Sequence, residues 1–317
     1  MTATPNETAI ITGANVGLGL QCATALLASD PTWHVVFAVR DVTRGAHAVE
    51  QAGHPTRCTV LELDLASLTS VHTFADDFRG RGLPPLHAIV CNAGLQVVSG
   101  TAHTAEGVEM TFGVNHLGHF ALVRDLLTDL AHPARIVVVA SGTHDPAKTT
   151  GMPAPRYTRA ADLAHPGDDA PVDGRRRYTT SKLCNVLYAY ELDRRLGCGA
   201  KGVTVNAFDP GLMPGSGLAR DYSALGRWTW RYVFPLLRVL PNVNSTRTSG
   251  ARLAALVCDP RFDDVTGSYF EGKRPIASST DSYDREKALD LWETSEHLLE
   301  RADHQDQAGE PRGRAAK

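Results

Sequence analysis

Short apolar runs alternate with longer amphipathic stretches from Thr8 to about Phe270. The runs are rich in valine and isoleucine, and most lack polar alternation: TAIIT (8–12), HVVFAV (34–39), CTVLEL (58–63), HAIVC (87–91), RIVVVA (135–140) and VTVNAF (203–208). This pattern is typical of strands buried on both faces of a parallel sheet. Helix-length segments lie between them, at 17–29, 67–79, 106–131 and 178–197. The alternation predicts an α/β fold, a doubly wound parallel sheet with helices on both faces.

Three stretches depart from this alternation. Residues 144–177 are rich in proline, glycine, aspartate and arginine, and we predict a long insertion loop there. Residues 210–245 hold a turn rich in glycine and proline, followed by the aromatic, apolar run RWTWRYVFPLLRVLP. That run predicts either a lid over the substrate or a helix packed on the core. Residues 302–317 are polar and predict a flexible tail, so residues 1–301 are predicted to form a single domain.

Composition and charge argue against several classes of function. The formal net charge is −3, so no overall basic field attracts nucleic acid or an anionic membrane. The cysteines form no C-x-x-C pair and the histidines show no ligand spacing, so we expect neither a metal site nor a disulfide framework. The sequence shows no signal peptide and no apolar run long enough to cross a membrane. We therefore expect a cytoplasmic protein without an integral membrane segment.

A glycine-rich turn follows the first predicted strand. Its sequence is TGANVGLG, with Gly13, Gly17 and Gly19, and a helix is predicted directly after it. Glycines let the backbone approach a pyrophosphate closely, and the helix N-terminus offers unpaired N–H groups to the anion. A strand-to-helix turn also favours glycine for geometric reasons alone. Placed after the first strand, however, the motif predicts a nucleotide-binding site.

The end of the second predicted strand indicates which dinucleotide binds. A carboxylate there would bond the ribose hydroxyls of NAD and repel a 2′-phosphate. Here the strand ends at Arg40, with Asp41 next and Arg44 one helical turn later. Because a guanidinium suits a phosphate, we predict NADP(H). The alternative is that Arg40 is a solvated residue at the start of a surface helix.

A Y-x-x-x-K pair, Tyr178 and Lys182, lies in a predicted helix, where residues four apart share one face. A phenol is a poor acid at neutral pH, with an unperturbed pKa of about 10, but a nearby ammonium favours the phenolate. Tyr178 can then exchange a proton with a substrate oxygen as a hydride moves. Such pairs also occur by chance on helix surfaces, so a catalytic interpretation depends on the other residues of the site.

Polar residues at the ends of other strands support the catalytic interpretation. Ser141 follows the fifth strand, at the edge where open α/β sheets bind ligands, and its hydroxyl could orient a carbonyl oxygen. The fourth strand ends in CNAG (91–94), a small-residue turn suited to lie against a nucleotide. Asn115, among apolar residues of the next helix, either ties the backbone or holds a relay water. Asp64 with Leu65 ends the third strand, and Asp64 either contacts adenine or caps a helix.

These motifs in this order, TGANVGLG, CNAG, Asn115, Ser141 and YTTSK, resemble the short-chain dehydrogenase/reductase family over roughly residues 8–270. The resemblance implies a Rossmann-type fold and an oxidoreductase. It also implies roles for the matching residues. Tyr178 would be the acid/base and Lys182 would bind the nicotinamide ribose. Ser141 would orient the substrate, and Asn115 would hold a relay water.

The resemblance also indicates binding partners. Many family members dimerise through the helices that carry Asn115 and Tyr178, so a homodimer is an open alternative.

In the segment after the sixth strand, DPG (209–211) matches the family's P-G turn beside the nicotinamide. The residues predicted to contact NADP(H) are Gly13, Asn15, Val16, Gly17, Leu18, Gly19, Arg40, Arg44, Asp64, Leu65, Asn92, Ala93, Gly94, Tyr178, Lys182, Pro210, Gly211 and Met213.

Within the family, the sequence resembles light-dependent protochlorophyllide reductases and retinol-dehydrogenase-like enzymes. The shared stretches are LDLASLTSV, TAEGVEMTFGVNHLGHF, SKLCNV, SGARLAALVCDP and LWETSEHL, together with Thr143. Those reductases carry a cysteine directly after the P-G turn, where this chain has Leu212. We therefore expect a dark reaction on a carbonyl/alcohol pair of a bulky apolar molecule. The alternatives are a C=C double-bond reductase of the protochlorophyllide type and a non-catalytic protein that senses NADP(H).

Overall fold

The computed structural model describes residues 4–167, 173–199, 202–213 and 244–307. The strands are β1 Glu7–Thr12, β2 Trp33–Val39, β3 Cys58–Glu62, β4 Leu86–Cys91, β5 Leu130–Val139, β6 Val203–Asp209, β7 Ser268–Glu271 and β8 Arg274–Ile276. The helices are α1 Gly17–Ser29, α2 Val42–Ala52, α3 Leu68–Gly80, α4 Met110–Phe112, α5 Gly118–Leu126, α6 Ala160–Ala164, α7 Gly174–Arg195, α8 Thr246–Cys258 and α9 Arg285–Gln307. A π-helical turn, Gly113–Leu117, joins α4 to α5.

The strands form one sheet in the order β3-β2-β1-β4-β5-β6-β7-β8. The first seven pair in parallel, and β8 pairs with β7 antiparallel. β1 lies between β2 and β4, with Ile11 opposite both Phe37 and Val90. The strand order reverses at this point, and open α/β sheets bind ligands in the crevice at the carboxyl ends of such strands. The predicted Rossmann-type, doubly wound α/β fold is confirmed.

Residues of the central strands alternate between two apolar layers, one on each face of the sheet. In β1, Ile10 packs with α3, α5 and α7, whereas Ile11 packs with α1 and α8. Both side chains are fully buried, and burial of one such side chain contributes about 1.5–3 kcal/mol. Helices on both faces therefore explain why the strand sequences lack polar alternation.

The helix predicted over 106–131 begins later than expected, at Met110. A tight turn precedes it, in which Thr104 N donates to Val108 O at 2.8 Å and Gly107 has a φ of +77°. Glycine adopts this left-handed conformation at little cost. The turn overrides the apolar pattern, so the first part of the predicted helix is wrong.

The insertion predicted over 144–177 is not a loop throughout. It contains α6, and α7 begins inside it at Gly174. Asp173 caps α7, because its side chain accepts a hydrogen bond from Arg176 N at 3.1 Å and so satisfies a donor of the first turn. Tyr178 therefore lies in the second turn of α7 rather than at its start.

The C-terminal part also differs from the prediction. The sequence pattern does not predict β7 or β8, because strands of four and three residues are too short to show a period. The first part of the tail predicted over 302–317 is helical instead, since α9 continues to Gln307 and Ala302 is 3% exposed. Residues 308–317 lie outside the described residues.

The helix α9 covers the outer face of α5 and α7. The ring centroid of Trp292 lies 4.8 Å from that of Phe120 and 6.1 Å from that of Tyr188. In the π-helical turn, His116 Nε2 is 2.8 Å from the hydroxyl of Ser295. The family resemblance leaves open a homodimer formed through the helices that carry Asn115 and Tyr178. Here α9 of the same chain packs on these helices, and the homodimer stays a prediction.

Truncating Trp292 to alanine is expected to lower the free energy of unfolding by roughly 2–4 kcal/mol, because two aromatic contacts and apolar burial are lost. Urea unfolding measures this. Leu289→Ala, at a side chain of α9 that is 44% exposed, is the control and should cost less than about 0.5 kcal/mol. A similar small loss for both variants would contradict the packing of α9 on α5 and α7.

Candidate active site

The glycine turn between β1 and α1 has the backbone that the motif requires. Gly13 and Gly17 have φ values of +66° and +62°, which favour glycine. A Cβ on Gly19 would lie 2.6 Å from both Gly13 O and Asn92 Nδ2, so the turn closes against the end of β4. No side chain in the described part of the chain caps the first turn of α1. Its N–H groups therefore suit an anion.

The other predicted contacts in this turn differ in exposure. Asn15 is half-buried and Val16 is 42% exposed. Leu18 is 8% exposed and packs in the layer of α1 and α8. The contact of Leu18 with a cofactor stays a prediction.

Thr12, which the sequence analysis did not select, joins the glycine turn to the CNAG turn. Its Oγ1 accepts hydrogen bonds from the backbone N–H groups of Asn92 and Ala93, both at 2.9 Å. Asn92 Nδ2 donates to Thr12 O at 2.7 Å, and the Thr12 hydroxyl is 2.9 Å from His119 Nε2. Burial lowers the pKa of His119 to about 4, so its ring is neutral at pH 7. A threonine ending a strand directly before the glycine turn is the signal that could have found Thr12.

Arg40 and Arg44 lie at the start of α2. Both are exposed, and neither forms an ion pair with a described residue. Asp41, between them, caps α2 by accepting a hydrogen bond from Arg44 N at 3.0 Å. Because that carboxylate is engaged in the cap, both guanidinium groups are open to a phosphate.

Asp64 and Leu65 follow β3 and lead into α3. Asp64 Oδ1 accepts a hydrogen bond from Ala66 N at 3.0 Å, whereas Ser67 caps α3. The helix-capping alternative for Asp64 is therefore wrong, and a contact with adenine stays a prediction. A Cβ on Gly118 would lie 2.6 Å from Leu65 O, so this turn packs closely on α5.

Asn115 lies in the π-helical turn and is fully buried. Its Oδ1 accepts from Leu95 N at 2.8 Å, and its Nδ2 donates to Leu95 O and to Ser181 Oγ, both at 2.9 Å. A Cβ on Gly94 would lie 3.2 Å from Asn115 Oδ1 and 3.7 Å from Lys182 Nζ. Asn115 therefore ties the backbone after the CNAG turn to α7, and its relay water stays a prediction.

Tyr178 and Lys182 lie side by side on α7, at 7% and 4% exposure. Lys182 Nζ is 5.6 Å from the centroid of the Tyr178 ring and donates to Val139 O at 3.1 Å. Asn185 Nδ2 donates to the same carbonyl oxygen at 3.0 Å. Burial lowers the pKa of Lys182 to about 8, although the negative charge of Asp209 acts in the other direction and raises this pKa. The side chain is thus mostly an ammonium at pH 7.

Ser141 follows the end of β5, two residues after the Val139 carbonyl that holds Lys182. It is half-buried, and its Oγ accepts a hydrogen bond from Thr143 N at 3.3 Å. His144 Nδ1 donates to Ser141 O at 2.7 Å and so fixes the turn. Because Oγ accepts from Thr143, its own hydrogen can be donated to a ligand.

Asp209 ends β6 and holds the P-G turn. It is 1% exposed, and its Oδ1 accepts a hydrogen bond from Gly211 N at 2.9 Å, where Gly211 has a φ of +75°. Its Oδ2 would lie 2.9 Å from a Cβ on Gly142. Ser249 Oγ donates to Pro210 O at 2.6 Å. The P-G turn is therefore anchored to α8 and lies beside the turn that follows Ser141.

Met213, the last predicted cofactor contact, packs against the layer of α1 and α8. Residues 214–243 lie outside the described residues. They contain most of the predicted lid and its aromatic side chains, Trp228, Trp230, Tyr232 and Phe234. The choice between a lid and a packed helix therefore stays open.

Comparisons with known proteins agree with this geometry. The family model described as short chain dehydrogenase matches residues 7–152. The protochlorophyllide reductase of Avena sativa is 38% identical in an alignment that covers 92% of this chain and 98% of that protein. Protochlorophyllide reductase A, chloroplastic, of Oryza sativa subsp. japonica is 37% identical over 92% of this chain and 80% of that protein.

Solved structures share the fold. A crystal structure of a protein from Mycobacterium Paratuberculosis is 30% identical, with a TM-score of 0.67 over 93% of this chain and 94% of that chain. A blue fluorescent protein from a metagenomic library, solved with NADPH, has a TM-score of 0.63 at 19% identity over 85% of this chain and 98% of that chain. The second likeness supports the fold alone. By the extent and identity of its match to the protochlorophyllide reductases, the chain belongs to the short-chain dehydrogenase/reductase family.

Proposed function

We propose that the chain transfers a hydride between NADP(H) and the carbonyl/alcohol carbon of a bulky apolar molecule, with Tyr178 as the proton donor or acceptor. The chain is an NADP(H)-dependent oxidoreductase, and the proposal adds the substrate class and the residue roles. One observation carries it: the Lys182 ammonium is buried beside the Tyr178 ring and fixed on Val139 O.

The residues present fit NADP(H). A Cβ on Gly17 would meet no atom within 4 Å, so space is open at the N-terminus of α1 for a pyrophosphate. The exposed guanidinium groups of Arg40 and Arg44 suit the 2′-phosphate. Gly94, beside Lys182, leaves the nicotinamide end without an obstructing side chain. When bound, the cofactor supplies or accepts the hydride.

The side chains at the other end of the site would transfer the proton to or from the substrate oxygen. In the reducing direction Tyr178 gives its proton to the substrate oxygen, and the Ser141 hydroxyl donates a hydrogen bond to that oxygen. The Lys182 ammonium then stabilises the phenolate, because little water screens their attraction in a buried site. Asn115 holds the backbone after the CNAG turn, with a relay water as its second role. In the oxidising direction the same groups act in reverse.

Replacing Arg40 and Arg44 together with alanine is expected to raise the KM for NADPH by about 10- to 100-fold. This is the loss of affinity expected when a charge-assisted hydrogen bond to the 2′-phosphate is removed. The KM for NADH should not change, because NADH lacks the 2′-phosphate. Initial rates with both cofactors measure this. Arg81→Ala, at an exposed arginine after α3, is the control. Equal losses with NADPH and NADH would contradict a role in phosphate recognition.

Turnover is expected to fall as the pH rises through about 8, because the Lys182 ammonium is present below its pKa and lost above it. Asp209→Asn removes the charge that keeps this pKa from falling further, so it should move the alkaline limb of kcat/KM to lower pH. Glu271→Gln is the control: Glu271 lies opposite Asp209 in β7 and pairs with Lys148 at 2.9 Å. An unmoved limb in Asp209→Asn would contradict the assignment to Lys182.

A substrate panel tests the proposed function. Ketones, aldehydes and the matching alcohols are assayed by NADPH or NADP⁺ absorbance, with the NADH couple in parallel. Turnover of bulky apolar members with NADP(H) supports the proposal. If no member of the panel turns over although NADPH binds, the carbonyl/alcohol chemistry is wrong, and the cofactor-sensing alternative takes its place.

A second candidate is the reduction of a C=C double bond, which the similarity to protochlorophyllide reductases supports. In that reaction Tyr178 would protonate carbon instead of oxygen. Leu212, directly after the P-G turn, argues against it, since those reductases have cysteine there. Turnover of protochlorophyllide in light but not in darkness would favour this candidate over the first.

The family and the fold also bear on the partner of the site and on membranes. The partner of the site is a small molecule. Within the described ranges, no helix is long and apolar enough to span a bilayer, and no cluster of three histidine, cysteine or acidic side chains is placed to hold a metal ion. The cytoplasmic location and the hydrophobic character of the substrate stay predictions.

A further inference from the structure

Gln96, two residues after the CNAG turn, is a buried carboxamide with unused hydrogen-bonding capacity. The residue is 5% exposed, and neither its Oε1 nor its Nε2 has a hydrogen-bond partner among the described residues. Burying an amide without partners is costly, so buried amides in native proteins are nearly always bonded to protein, water or ligand. The described residues therefore leave both polar atoms of the Gln96 side chain available to a further partner.

The backbone before Gln96 is tied to α7. Leu95 exchanges two hydrogen bonds with the side chain of Asn115, at 2.8 and 2.9 Å. The same Asn115 amide donates to Ser181 Oγ at 2.9 Å. The backbone directly before Gln96 is thus held near Ser181 through Asn115.

The backbone after Gln96 is held at the start of the same helix. Val97 lies against Gly174, where a Cβ would overlap the Val97 carbonyl oxygen. Gly174 and Ser181 are about 10 Å apart along α7, and Tyr178 lies between them. The two contacts therefore hold Gln96 alongside the stretch of α7 that carries Tyr178.

We propose that the Gln96 carboxamide binds a neutral polar group of the substrate that both donates and accepts hydrogen bonds, such as a primary amide. The inference rests on the proposed function, which puts the reacting carbonyl beside Tyr178. It adds that the substrate carries such a group near the reacting carbon, although the rest of it is apolar. An amide donates through nitrogen and accepts through oxygen, so two amides can pair through two hydrogen bonds. A wholly apolar ligand would leave both atoms of Gln96 unpaired and would be disfavoured.

Two ketones of nearly equal size test this inference: 3-acetylbenzamide and 3-isopropylacetophenone. Their binding to the protein saturated with NADP⁺ is measured by isothermal titration calorimetry. We expect the wild type to bind the amide at least about 10-fold more tightly and Gln96→Leu to lose this preference. Gln51→Leu, at an exposed glutamine of α2, is the matched control and should keep it. Because leucine removes unpaired polar atoms, we expect Gln96→Leu to keep the wild-type Tm.

Each outcome is decisive for Gln96. The inference is overturned by equal preference in wild type and Gln96→Leu, or by no preference in the wild type. A loss of NADP⁺ affinity in Gln96→Leu would assign the side chain to the cofactor and overturn it as well. Turnover of both ketones with NADPH is followed separately. A binding preference without turnover would count against the proposed function and leave the Gln96 site standing.

Discussion

Replacing Tyr178 with phenylalanine is expected to lower kcat by about 100- to 10,000-fold, the contribution of a general acid/base, and to change the dissociation constant of NADPH by less than about twofold. Phenylalanine keeps the ring whose centroid lies 5.6 Å from Lys182 Nζ. It removes only the oxygen that carries the proton. NADPH absorbance measures kcat, and cofactor fluorescence measures binding.

Tyr188→Phe is the matched control for this variant. Tyr188 lies on the same helix, is 3% exposed, and packs its ring on Trp292, a contact that phenylalanine keeps. Its turnover is expected to stay within about threefold of wild type, since a removed hydroxyl away from the reacting atoms changes no catalytic step. If Tyr178→Phe retained more than about a tenth of kcat, another group would have to supply the proton.

A single methyl group at Gly174 is expected to lower the free energy of unfolding by about 1–3 kcal/mol and kcat/KM by on the order of 100-fold. The added Cβ would overlap the carbonyl oxygen of Val97, which is backbone and cannot rotate away. Either the start of α7 or the chain at Val97 must move, and Tyr178 one turn later moves relative to the substrate. Urea unfolding and steady-state kinetics on Gly174→Ala measure the two effects.

Gly80→Ala provides the matching control at the end of α3. A Cβ there would meet no atom within 4 Å, and Gly80 has no positive φ. Alanine should therefore leave stability unchanged or raise it by up to about 1 kcal/mol, through the unfolded state. If both glycines tolerated alanine equally, the close approach of Val97 to α7 would be refuted.

Strand positions could be predicted because burial on both faces removes polar residues from the runs. Ile10 and Ile11 face opposite layers and are both fully buried, so the sequence there is uninterrupted. β8 could not be predicted, since Arg274 and Pro275 are exposed and the strand is short. The π-helical turn around Asn115 was also missed, because it changes the hydrogen-bond register and leaves the apolar pattern unaltered.

Within the candidate site, the spacing of Tyr178 and Lys182 could be read directly, because residues four apart meet on any helix. Thr12 and Gly174 were missed, since their importance depends on contacts with backbone far away in sequence, at Asn92 and Val97. Local patterns carry no information on such approaches. Gln96 was missed for a related reason: its amide has no hydrogen-bond partner among the described residues, and this matters only once its burial is known.

The placement of α9 has a consequence for how the protein is made. Arg285–Gln307 leaves the ribosome after all the proposed catalytic residues, and until then the rings of Phe120 and Tyr188 lack their cover by Trp292. A nascent chain that stalls before this helix would expose hydrophobic aromatic surface, which binds chaperones or aggregates with other incompletely folded chains. The speed of translation over the codons for this helix therefore bears on the yield of active enzyme.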